Sequence, residues 1–530
     1  MQILTAAEMR EVDRLTAEQF GVPLDVLMEN AGGAVARFCM HEYRAAKKVV
    51  VLAGKGNNGG DGFVAARVMA EGGKSVEVLL LGQADDVKGE AAGALAKLRR
   101  EAQQVVVREM AEVEDGEAAI SSAELLVDAV VGTGFKPPLR DLAATLKEAV
   151  DVARAPVVAV DLPSGWDADS KRQSGEGAYR ADAVVTFTAP KMAHVFGHLT
   201  RASLGPVVVA QIGSPPEALR QDSGLHWAGG AKGIAEKPRE VNANKGKYGH
   251  VLVVGGSYGT SGAPSMASLG ALRTGAGLVT AAVPKSIVDA VAGVAPELMM
   301  APLRQGAEGA VALDDQQAID AVIREKRITV LAIGPGLSTR GEASEFAREL
   351  VKRTELPMVV DADALNAFAG KASELNGEGR VLVLTPHPGE MARLVGMSVK
   401  EVEADRVGLA RRFATEHKLT LVLKGWRTLI AHPDGSVAVN TTGNPALAKG
   451  GSGDILTGII AGMLSQYAAE DAAKALEAAV FLHGLAGDFA ARAMEEHTVL
   501  ATDTLQHLSD AFRYRVKDGA ELTWICGVHE

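Results

Sequence analysis

Cysteine is almost missing from this 530-residue chain, which contains only Cys39 and Cys526. No CxxC pair and no cluster of cysteine with histidine occurs, which argues against a disulfide framework and a structural zinc site. No apolar run approaches the roughly 18 uninterrupted residues that a membrane-spanning helix needs. The first residues mix both charge signs and lack the basic start and apolar core of a signal peptide. We therefore expect a cytoplasmic protein without a membrane partner.

Aromatic residues are also scarce, and the 66 acidic residues outnumber the 55 basic ones. Aromatics make up 4% of the chain, and the net charge of −11 argues against a nucleic-acid partner, which would need a basic face. Glycine is plentiful at 59 residues, and 47% of the chain is hydrophobic, which suits a globular α/β protein with tight strand-to-helix turns. A chain of this length predicts two or more domains, and we expect a homo-oligomer.

The first half of the chain alternates short apolar runs with helical patterns. Helical periodicity covers about 5–17 and 23–43. Strands are predicted at 49–54, 76–82, 125–132, 157–165, 183–190 and 207–213. Near-continuous Val, Ile and Leu runs are typical of parallel strands that are buried on both faces. Open sheets of this kind bind ligands at the carboxyl ends of their strands.

A second alternation follows the stretch 214–248, where prolines, glycines and charges replace the periodicity. Further strands are predicted at 250–256, 277–284, 328–336, 357–365, 381–390, 419–425 and 436–440, and two long helices at about 453–467 and 471–495. We therefore predict a Rossmann-like three-layer α/β/α domain at 1–222, a linker and boundary region at 223–248, and a second α/β domain at 249–530.

The stretch GKGNNGGDG (54–62) follows the first predicted strand but is neither a P-loop nor a clean dinucleotide fingerprint. Its glycines let a ligand approach the backbone, and the helix predicted from Phe63 onward would turn its free N–H groups toward the loop. Asn57, Asn58 and Asp61 add amide and carboxylate oxygens. These side chains could instead simply cap the helix and tolerate the turn.

Two further predicted strand ends carry polar side chains. Asp128 lies late in VDAVVGTG, and Asp161 and Ser164 lie in VDLPSG. Asp128, Ser164 and Asn58 offer carboxylate, hydroxyl and amide oxygens, which suit a hard cation better than zinc or copper. Asp161 could equally be a turn former before Pro163.

NNGGDGFVAAR, VDAVVGTG and VDLPSG, in this order, resemble the NAD(P)HX epimerase domain, also called the YjeF N-terminal domain, over about 5–213. That family interconverts the R and S hydrates of NADH and NADPH. The resemblance implies that Asn58, Asp128 and Ser164 ligate K⁺ and that Asp161 is catalytic at the reacting ring. The hydrate-binding residues that it implies are Asn57, Asn58, Gly59, Gly60, Asp61, Gly132, Thr133, Gly134, Phe135, Lys136, Pro137, Pro138 and Asp161.

In the second half, GGSGD (450–454) runs into an apolar helical pattern. Backbone N–H groups at such a helix start can hold a developing phosphoryl charge, and Asp454 is placed to take a proton from an attacking hydroxyl. Asp454 could instead only stabilise the helix dipole. Lys424 follows a strand in LVLKGWRT and could contact a nucleotide phosphate, or it could be a surface lysine. His387 lies at a strand-to-helix junction in TPHPGE, where it could face a ligand or have only a structural role.

GSYGTSGAPSMASLGALRTGAGLV, GPGL, VVDADAL, TPHPGE, LKGWRT and GGSGDILTG, in this order, resemble the ADP-dependent NAD(P)HX dehydratase domain, which is ribokinase-like, over about 235–515. The resemblance implies ADP with Mg²⁺. It implies a hydrate site at Ala263, Gly336, His387 and catalytic Asp454, and an ADP/AMP site at Lys424, Gly425, Trp426, Arg427, Thr428 and Gly453.

The two resemblances together predict a bifunctional repair enzyme. Its substrates would be NADHX, NADPHX and ADP, and the second domain would convert the S hydrate to NAD(P)H, AMP and phosphate. Two alternatives stay open. One is a ribokinase-like small-molecule kinase with a regulatory or binding N-terminal domain, and the other is a non-catalytic binding protein.

Overall fold

The structure is a computed structural model that describes residues 1–219, 222–306 and 308–529. The chain forms two compact units, one from Met1–Ser223 with Arg515–Glu530 and the other from Gly224–Tyr514. Within the described residues, no helix combines the length and the apolar character needed to cross a membrane.

The first unit is built on an eight-stranded sheet. Its strands are β1 (Lys48–Ala53), β2 (Ser75–Leu81), β3 (Val106–Met110), β4 (Leu125–Ala129), β5 (Val157–Val160), β6 (Ala183–Phe187), β7 (Val207–Ala210) and β18 (Leu522–Cys526), in the order β18-β7-β6-β5-β4-β1-β2-β3. All neighbours are parallel except β18, which pairs antiparallel with β7. Its helices are α1 (Ala6–Glu18), α2 (Leu24–Glu42), α3 (Asn57–Glu71), α4 (Gly89–Glu101), α5 (Glu114–Ser122), α6 (Asp141–Val152) and α7 (Met192–Phe196).

Strand β1 shows why this sheet is covered on both faces. Val49 and Val51 belong to the apolar cluster formed with α2, α3 and α4. Val50 and Leu52 belong to a second cluster, formed with α5 and α6. Because successive side chains of a strand point to opposite faces, an unbroken apolar run requires helices on both sides. The predicted three-layer arrangement is confirmed.

The second unit contains a ten-stranded sheet. Its strands are β8 (Leu225–Trp227), β9 (His250–Val254), β10 (Leu278–Pro284), β11 (Met299–Leu303), β12 (Val330–Ile333), β13 (Met358–Val360), β14 (Leu382–Leu384), β15 (Thr420–Leu423), β16 (Leu429–Ala431) and β17 (Val437–Val439), in the order β11-β10-β9-β12-β13-β14-β15-β16-β17-β8. The sheet is parallel except for the antiparallel run β15-β16-β17.

The helices of the second unit are α8 (Gly262–Thr274), α9 (Val288–Ala292), α10 (Gln316–Lys326), α11 (Ala343–Arg353), α12 (Ala362–Asn366), α13 (Pro388–Val395), α14 (Val399–Ala404), α15 (Arg406–Glu416), α16 (Ser452–Ala493), α17 (Ala501–Gln506) and α18 (Leu508–Arg513). Helix α16 is interrupted at Asp471, which has extended φ and ψ of −161° and 96°. The Asp471 carboxylate accepts the Lys474 backbone N–H at 3.0 Å, so it starts a second helical stretch, as the sequence predicted.

Both ends of the second unit differ from the expected boundaries. Residues 225–227, expected in the linker, form β8 and pair with β17. Residues 515–530, expected in the second domain, return to the first sheet, where β18 covers the edge strand β7. Pairing of an exposed edge satisfies backbone groups that side-chain periodicity does not report.

Candidate functional site

A cavity of roughly 980 Å³ lies at the carboxyl edge of the first sheet. It is lined by residues of α1, α2 and α3 and by loops that follow β1, β2, β4, β5 and β6. Parallel strands end at the same edge, so polar residues that are far apart in sequence meet there. A cavity of this size is at the upper end of those that hold small molecules and cofactors.

The cavity collects most of the predicted hydrate-binding residues. Those that line it are Asn57, Asn58, Asp61, Gly132, Thr133, Gly134, Phe135 and Asp161. Gly59, Gly60, Lys136, Pro137 and Pro138 are not among its lining residues. Lys136 instead forms ion pairs with Asp167 at 2.6 Å and Asp169 at 2.9 Å.

The NNGGDG segment is helical, whereas a loop was expected up to Phe63. Helix α3 begins at Asn57, and its N-cap Gly56 makes no side-chain cap. A Cβ on Gly59 would lie 1.9 Å from the Gly54 carbonyl oxygen, and one on Gly60 would lie 2.6 Å from the sulfur of Met28. These glycines therefore let the helix pack directly against its neighbours, which explains why a glycine-rich segment can be helical.

Asp161 is the most tightly held side chain at the cavity. Its Oδ1 accepts hydrogen bonds from Lys191 Nζ and Thr186 Oγ1, both at 2.9 Å. Its Oδ2 accepts from the Thr133 backbone N–H at 2.7 Å and from the Thr133 hydroxyl. Its φ of +65° is rare for a residue with a side chain, and such strain concentrates at functional sites. Asp161 is thus more than a turn former.

The pKa of Asp161 reflects two opposing effects. Burial alone would raise this pKa, but the Lys191 charge and the hydrogen bonds from Thr133 and Lys191 hold it well below its usual value. His194 Nδ1 accepts the Lys191 backbone N–H, and Nε2 lies 2.6 Å from the Asp161 carbonyl oxygen. Burial, and then the Lys191 charge, lower the pKa of His194 to about 4, so the ring is neutral near pH 7. Lys191, and not His194, therefore supplies the positive charge that keeps Asp161 ionised.

Two of the predicted cation ligands are in direct contact. Ser164 donates its hydroxyl to Asp128 Oδ1 at 2.6 Å and its backbone N–H to Asp128 Oδ2 at 2.7 Å. Both residues are fully buried. Burial raises the pKa of Asp128 to about 6, although the hydrogen bonds from Ser164 act to lower it. Asn58 reaches the same segment from α3, since its Oδ1 lies 2.7 Å from the position that a Cβ on Gly132 would occupy. The residue before Gly132, Val131, donates its backbone N–H to Ser164 Oγ at 3.0 Å. Within the described residues, Asn58 Nδ2 is buried without a hydrogen-bond partner.

Two more carboxyl groups line the same cavity. Asp13 projects from α1 and Asp61 from α3. Burial raises the pKa of Asp13 to about 6, with Lys191 opposing and Asp161 adding to the shift. Burial, together with the charges of Asp161 and Asp13, raises the pKa of Asp61 well above its ordinary value. The cavity thus contains one carboxylate held ionised and two carboxyl groups that bind protons readily.

In the second unit, the N-terminus of α16 meets the ends of β13 and β15. Gly451 caps the helix with φ +96°, a conformation that favours glycine. Lys424 Nζ donates to Asp361 Oδ1 at 3.1 Å, and Thr457 on α16 donates to Asp361 Oδ2 at 2.7 Å. A Cβ on Gly453 would lie 3.3 Å from Lys424 Nζ, so the lysine is beside the glycine-rich turn. Lys424 is therefore not a surface lysine.

Asp454 lies in the first turn of α16 beside this ion pair. Burial, and then the charge of Asp361, raise its pKa to about 7, while Lys424 opposes the shift. A carboxyl group with this pKa binds and releases protons near neutrality, as a general base requires. An aspartate that only stabilised a helix dipole would have a lowered pKa instead.

His387 lies at the start of α13, where its Nδ1 accepts the backbone N–H of Gly389 at 3.0 Å and of Glu390 at 3.3 Å. Its side chain is half exposed, and Nε2 lies 3.5 Å from Glu390 Oε1. The residue is therefore a helix cap that still presents its other ring nitrogen. A structural role and a ligand contact are compatible here.

The remaining predicted residues form two groups. A Cβ on Gly336 would lie 3.1 Å from Ala263 Cβ, so these two residues are adjacent. The Arg427 guanidinium stacks over the Trp426 ring at 4.3 Å from its centroid, and Thr428 Oγ1 donates to the Gly425 carbonyl at 3.3 Å. These contacts shape the turn that follows Lys424.

Four residues of these sites were not selected from the sequence. Lys191 and Asp361 follow the ends of β6 and β13. Their positions just after apolar runs could have marked them as candidate site residues. Asp13 is one charged residue of an amphipathic helix, and Thr457 lies within an apolar one, so neither is marked by a local pattern.

Residues 251–512 match the family model described as NAD(P)H-hydrate dehydratase, and residues 24–193 match that of the YjeF-related protein N-terminus. The bifunctional NAD(P)H-hydrate repair enzyme Nnr of Moorella thermoacetica is 41% identical over 521 residues, which is 97% of each chain. That of Escherichia coli is 34% identical over 97% of this chain and 94% of its own.

Among solved structures, the ADP/ATP-dependent NAD(P)H-hydrate dehydratase of Bacillus subtilis, co-crystallized with ATP and Mg²⁺, is 32% identical. It covers 53% of this chain and 96% of its own, with a TM-score of 0.45. The full-length match to the Moorella thermoacetica relative, together with one family model in each unit, confirms the two resemblances expected from the sequence. The chain belongs to the family of bifunctional NAD(P)H-hydrate repair enzymes.

Proposed function

We propose that the first unit interconverts R- and S-NAD(P)HX and that the second unit dehydrates the S form with ADP. The observation that carries this proposal is that each unit places a lysine–aspartate ion pair at its own candidate site. Asp161 is held as a carboxylate at the first cavity, and Asp454 lies beside the Lys424–Asp361 pair at the start of α16. The two activities are complementary, because a site shaped for one epimer would leave the other unrepaired.

The dehydratase step follows from the chemistry of the leaving group. Hydroxide leaves the hydrated nicotinamide ring poorly, whereas phosphate leaves well. Asp454 takes the proton of the ring hydroxyl as its oxygen attacks the β-phosphorus of ADP, and AMP departs. The N–H groups of 450–453 and Lys424 hold the charge on the transferred phosphoryl group. The lone pair of the ring nitrogen then expels phosphate and forms a carbon–nitrogen double bond with positive charge on nitrogen. Loss of a proton from the neighbouring ring carbon to water restores the carbon–carbon double bond of the reduced nicotinamide.

Two cations belong to this proposal. Mg²⁺ would arrive on the phosphates of the nucleotide and offset their charge. In the first unit, Asn58, Asp128 and Ser164 would hold K⁺; they supply hard oxygen donors, and the Asp128–Ser164 pair is already assembled and buried. The buried Asn58 Nδ2, which has no hydrogen-bond partner within the described residues, is a donor and so supports a bound acceptor group beside the cation, while Oδ1 of the same amide would face K⁺. K⁺ would offset the charge of the Asp128 carboxylate and tie α3 to the ends of β4 and β5.

The test is incubation of a mixed NADHX preparation with ADP and Mg²⁺, followed by absorbance in the reduced-nicotinamide band. The proposal expects ADP-dependent recovery of the full band, with AMP and phosphate as products. Chromatography of the same reaction examines the alternative of a small-molecule kinase. A stable phosphorylated product without recovery of the band would favour the kinase and overturn the dehydratase assignment.

A further inference from the structure

Asp161 has no free position for a proton in the structure. Both of its oxygens already accept two hydrogen bonds each, from Lys191 and Thr186 on one side and from Thr133 on the other. Protonation would place a hydrogen against one of these donors. Asp161 is therefore suited to face a cation, and another group must move the protons of epimerisation.

Asp13 and Asp61 have the opposite properties. Their carboxyl groups line the cavity that contains Asp161 and Lys191, and they project from different helices. The structure, over the residues it describes, gives neither carboxyl group a hydrogen-bond or ion-pair partner, unlike Asp161 and Asp128. A carboxyl group without a partner at the wall of a cavity is free to bond to a ligand.

We propose that Asp13 and Asp61 are the proton-transfer residues of the epimerase unit, and that Asp161 remains a carboxylate that stabilises the cationic ring. This inference rests on the proposed epimerase function of the first unit. It adds Asp13, which lies outside the motifs that carry the family resemblance, and it assigns Asp61 a chemical role.

The proposed reaction balances with one proton shared by the pair. The protonated carboxyl of Asp61 gives its proton to the ring hydroxyl; the carbon–oxygen bond breaks, water leaves, and the nitrogen lone pair forms a carbon–nitrogen double bond with positive charge on nitrogen. A water molecule then adds to the opposite face and gives a proton to the Asp13 carboxylate. The pair now has the reverse protonation, which is the state that the return reaction needs.

The pH dependence follows from the group that must accept a proton. The pKa of Asp13, about 6, means that its carboxylate predominates above that pH and is lost below it. The charged groups that face the cavity around the pair are Arg10, Lys55, Glu90, Arg140, Asp141, Asp161 and Lys191. Because Asp13 and Asp61 interact, the profile reports values that belong to the pair. We expect a bell-shaped profile whose acidic limb depends on Asp13.

The experiment measures interconversion of purified R-NADHX and S-NADHX by chromatography, without ADP so that dehydration does not occur, and with the spontaneous rate subtracted. The variants are Asp13→Asn and Asp61→Asn, with Asp13→Glu as the conservative variant. Glu11→Gln is the matched control, since Glu11 lies on the same helix and pairs at the surface with Arg14. Reactions in isotopically labelled water report whether the ring hydroxyl exchanges during epimerisation.

Each amide variant should lower kcat by about 10²–10⁴-fold with little change in KM. The asparagine side chain cannot transfer the proton, but it has nearly the same size and shape as the aspartate it replaces. Asp13→Asn should also lose the acidic limb, Asp13→Glu should recover part of the rate, and the control should match the wild type. The product should carry solvent oxygen. Unchanged kcat in both amide variants, an effect on KM alone, or product without solvent oxygen would overturn the inference. Absence of epimerisation by the wild type would instead refute the proposed function.

Discussion

Replacing Lys191 by methionine tests whether the Asp161 ion pair holds the first site together. The lysine side chain is almost fully buried, and its Nζ contacts Asp161 Oδ1 at 2.9 Å, Thr186 Oγ1 at 2.8 Å and the Phe187 carbonyl at 3.3 Å. Methionine keeps most of the volume but leaves the Asp161 charge without its cation. Loss of one partner of a buried ion pair costs about 3–5 kcal/mol.

The expected loss has a definite pH dependence. In the wild type the pKa of Asp161 is lowered, so its contribution to stability is present above the unfolded-state pKa and is lost as pH falls through the folded-state value. In Lys191→Met, burial without the lysine raises this pKa, and a proton can neutralise Asp161 in mild acid. The free-energy gap between wild type and variant should therefore be smaller near pH ~5 than near pH ~7.

Hydrogen exchange of peptides from β5 and β6, with peptides from β12 and β13 of the second unit as an internal reference, measures this loss locally. The expected change is an opening equilibrium raised by about two to nearly four orders of magnitude at neutral pH. Adding Asp161→Asn should restore part of the stability, because the unpaired charge is removed. A loss below about 1 kcal/mol, or additive effects in the double variant, would refute a buried ion pair of this strength.

Three further predictions concern other parts of the molecule. Asp454→Asn should lower dehydration of S-NADHX at least about 100-fold, and wild-type kcat/KM should rise with pH through an apparent pKa of about 7, because the base must be deprotonated; rates that do not vary with pH would contradict this. Gly59→Ala should unfold or strongly destabilise the first unit because its Cβ would meet the Gly54 carbonyl at 1.9 Å, whereas Gly93→Ala, in open space on α4, should stabilise it by about 0.5–1 kcal/mol in denaturation measurements. His387→Asn should keep the α13 cap, whereas His387→Ala should lose it and about 1 kcal/mol of stability. Both variants should raise KM for the hydrate equally, and full activity of the asparagine variant would assign His387 to capping alone.

Much of the fold follows from apolar runs in the sequence. Runs such as 49–54 are buried on both faces, so apolar runs alone locate thirteen of the eighteen strands in the described residues. The predicted runs extend too far at their carboxyl ends, as at 157–165, where β5 ends at Val160. The residues just beyond that end, Asp161 and Ser164, lie outside the sheet and are candidate site residues. Five strands were missed, namely β16 and all four edge strands, β3, β8, β11 and β18. The pairing of an edge strand depends on backbone groups that the side-chain pattern does not report.

The candidate site residues that lie in a local motif could be predicted from the sequence. Those that reach the site only through tertiary contacts could not. Asp161, Asp128 and Asn58 lie in glycine-rich or strand-end motifs. Lys191 is recognised only when β6 brings it against Asp161, thirty positions away in the sequence. The state of Asp454 likewise depends on Asp361 and Lys424, which come from other strands. Protonation states arise from such tertiary contacts, so the sequence does not report them.

The most direct test of the two-unit account is the time course of NADHX repair by the wild type and by Asp161→Asn, with a mixture of epimers, ADP and Mg²⁺. The account predicts that the wild type restores the whole reduced-nicotinamide band, while the variant rapidly restores only the S fraction and then follows the slow spontaneous epimerisation. Rapid repair of both epimers by the variant, or loss of S-hydrate repair in it, would contradict the assignment of one activity to each unit.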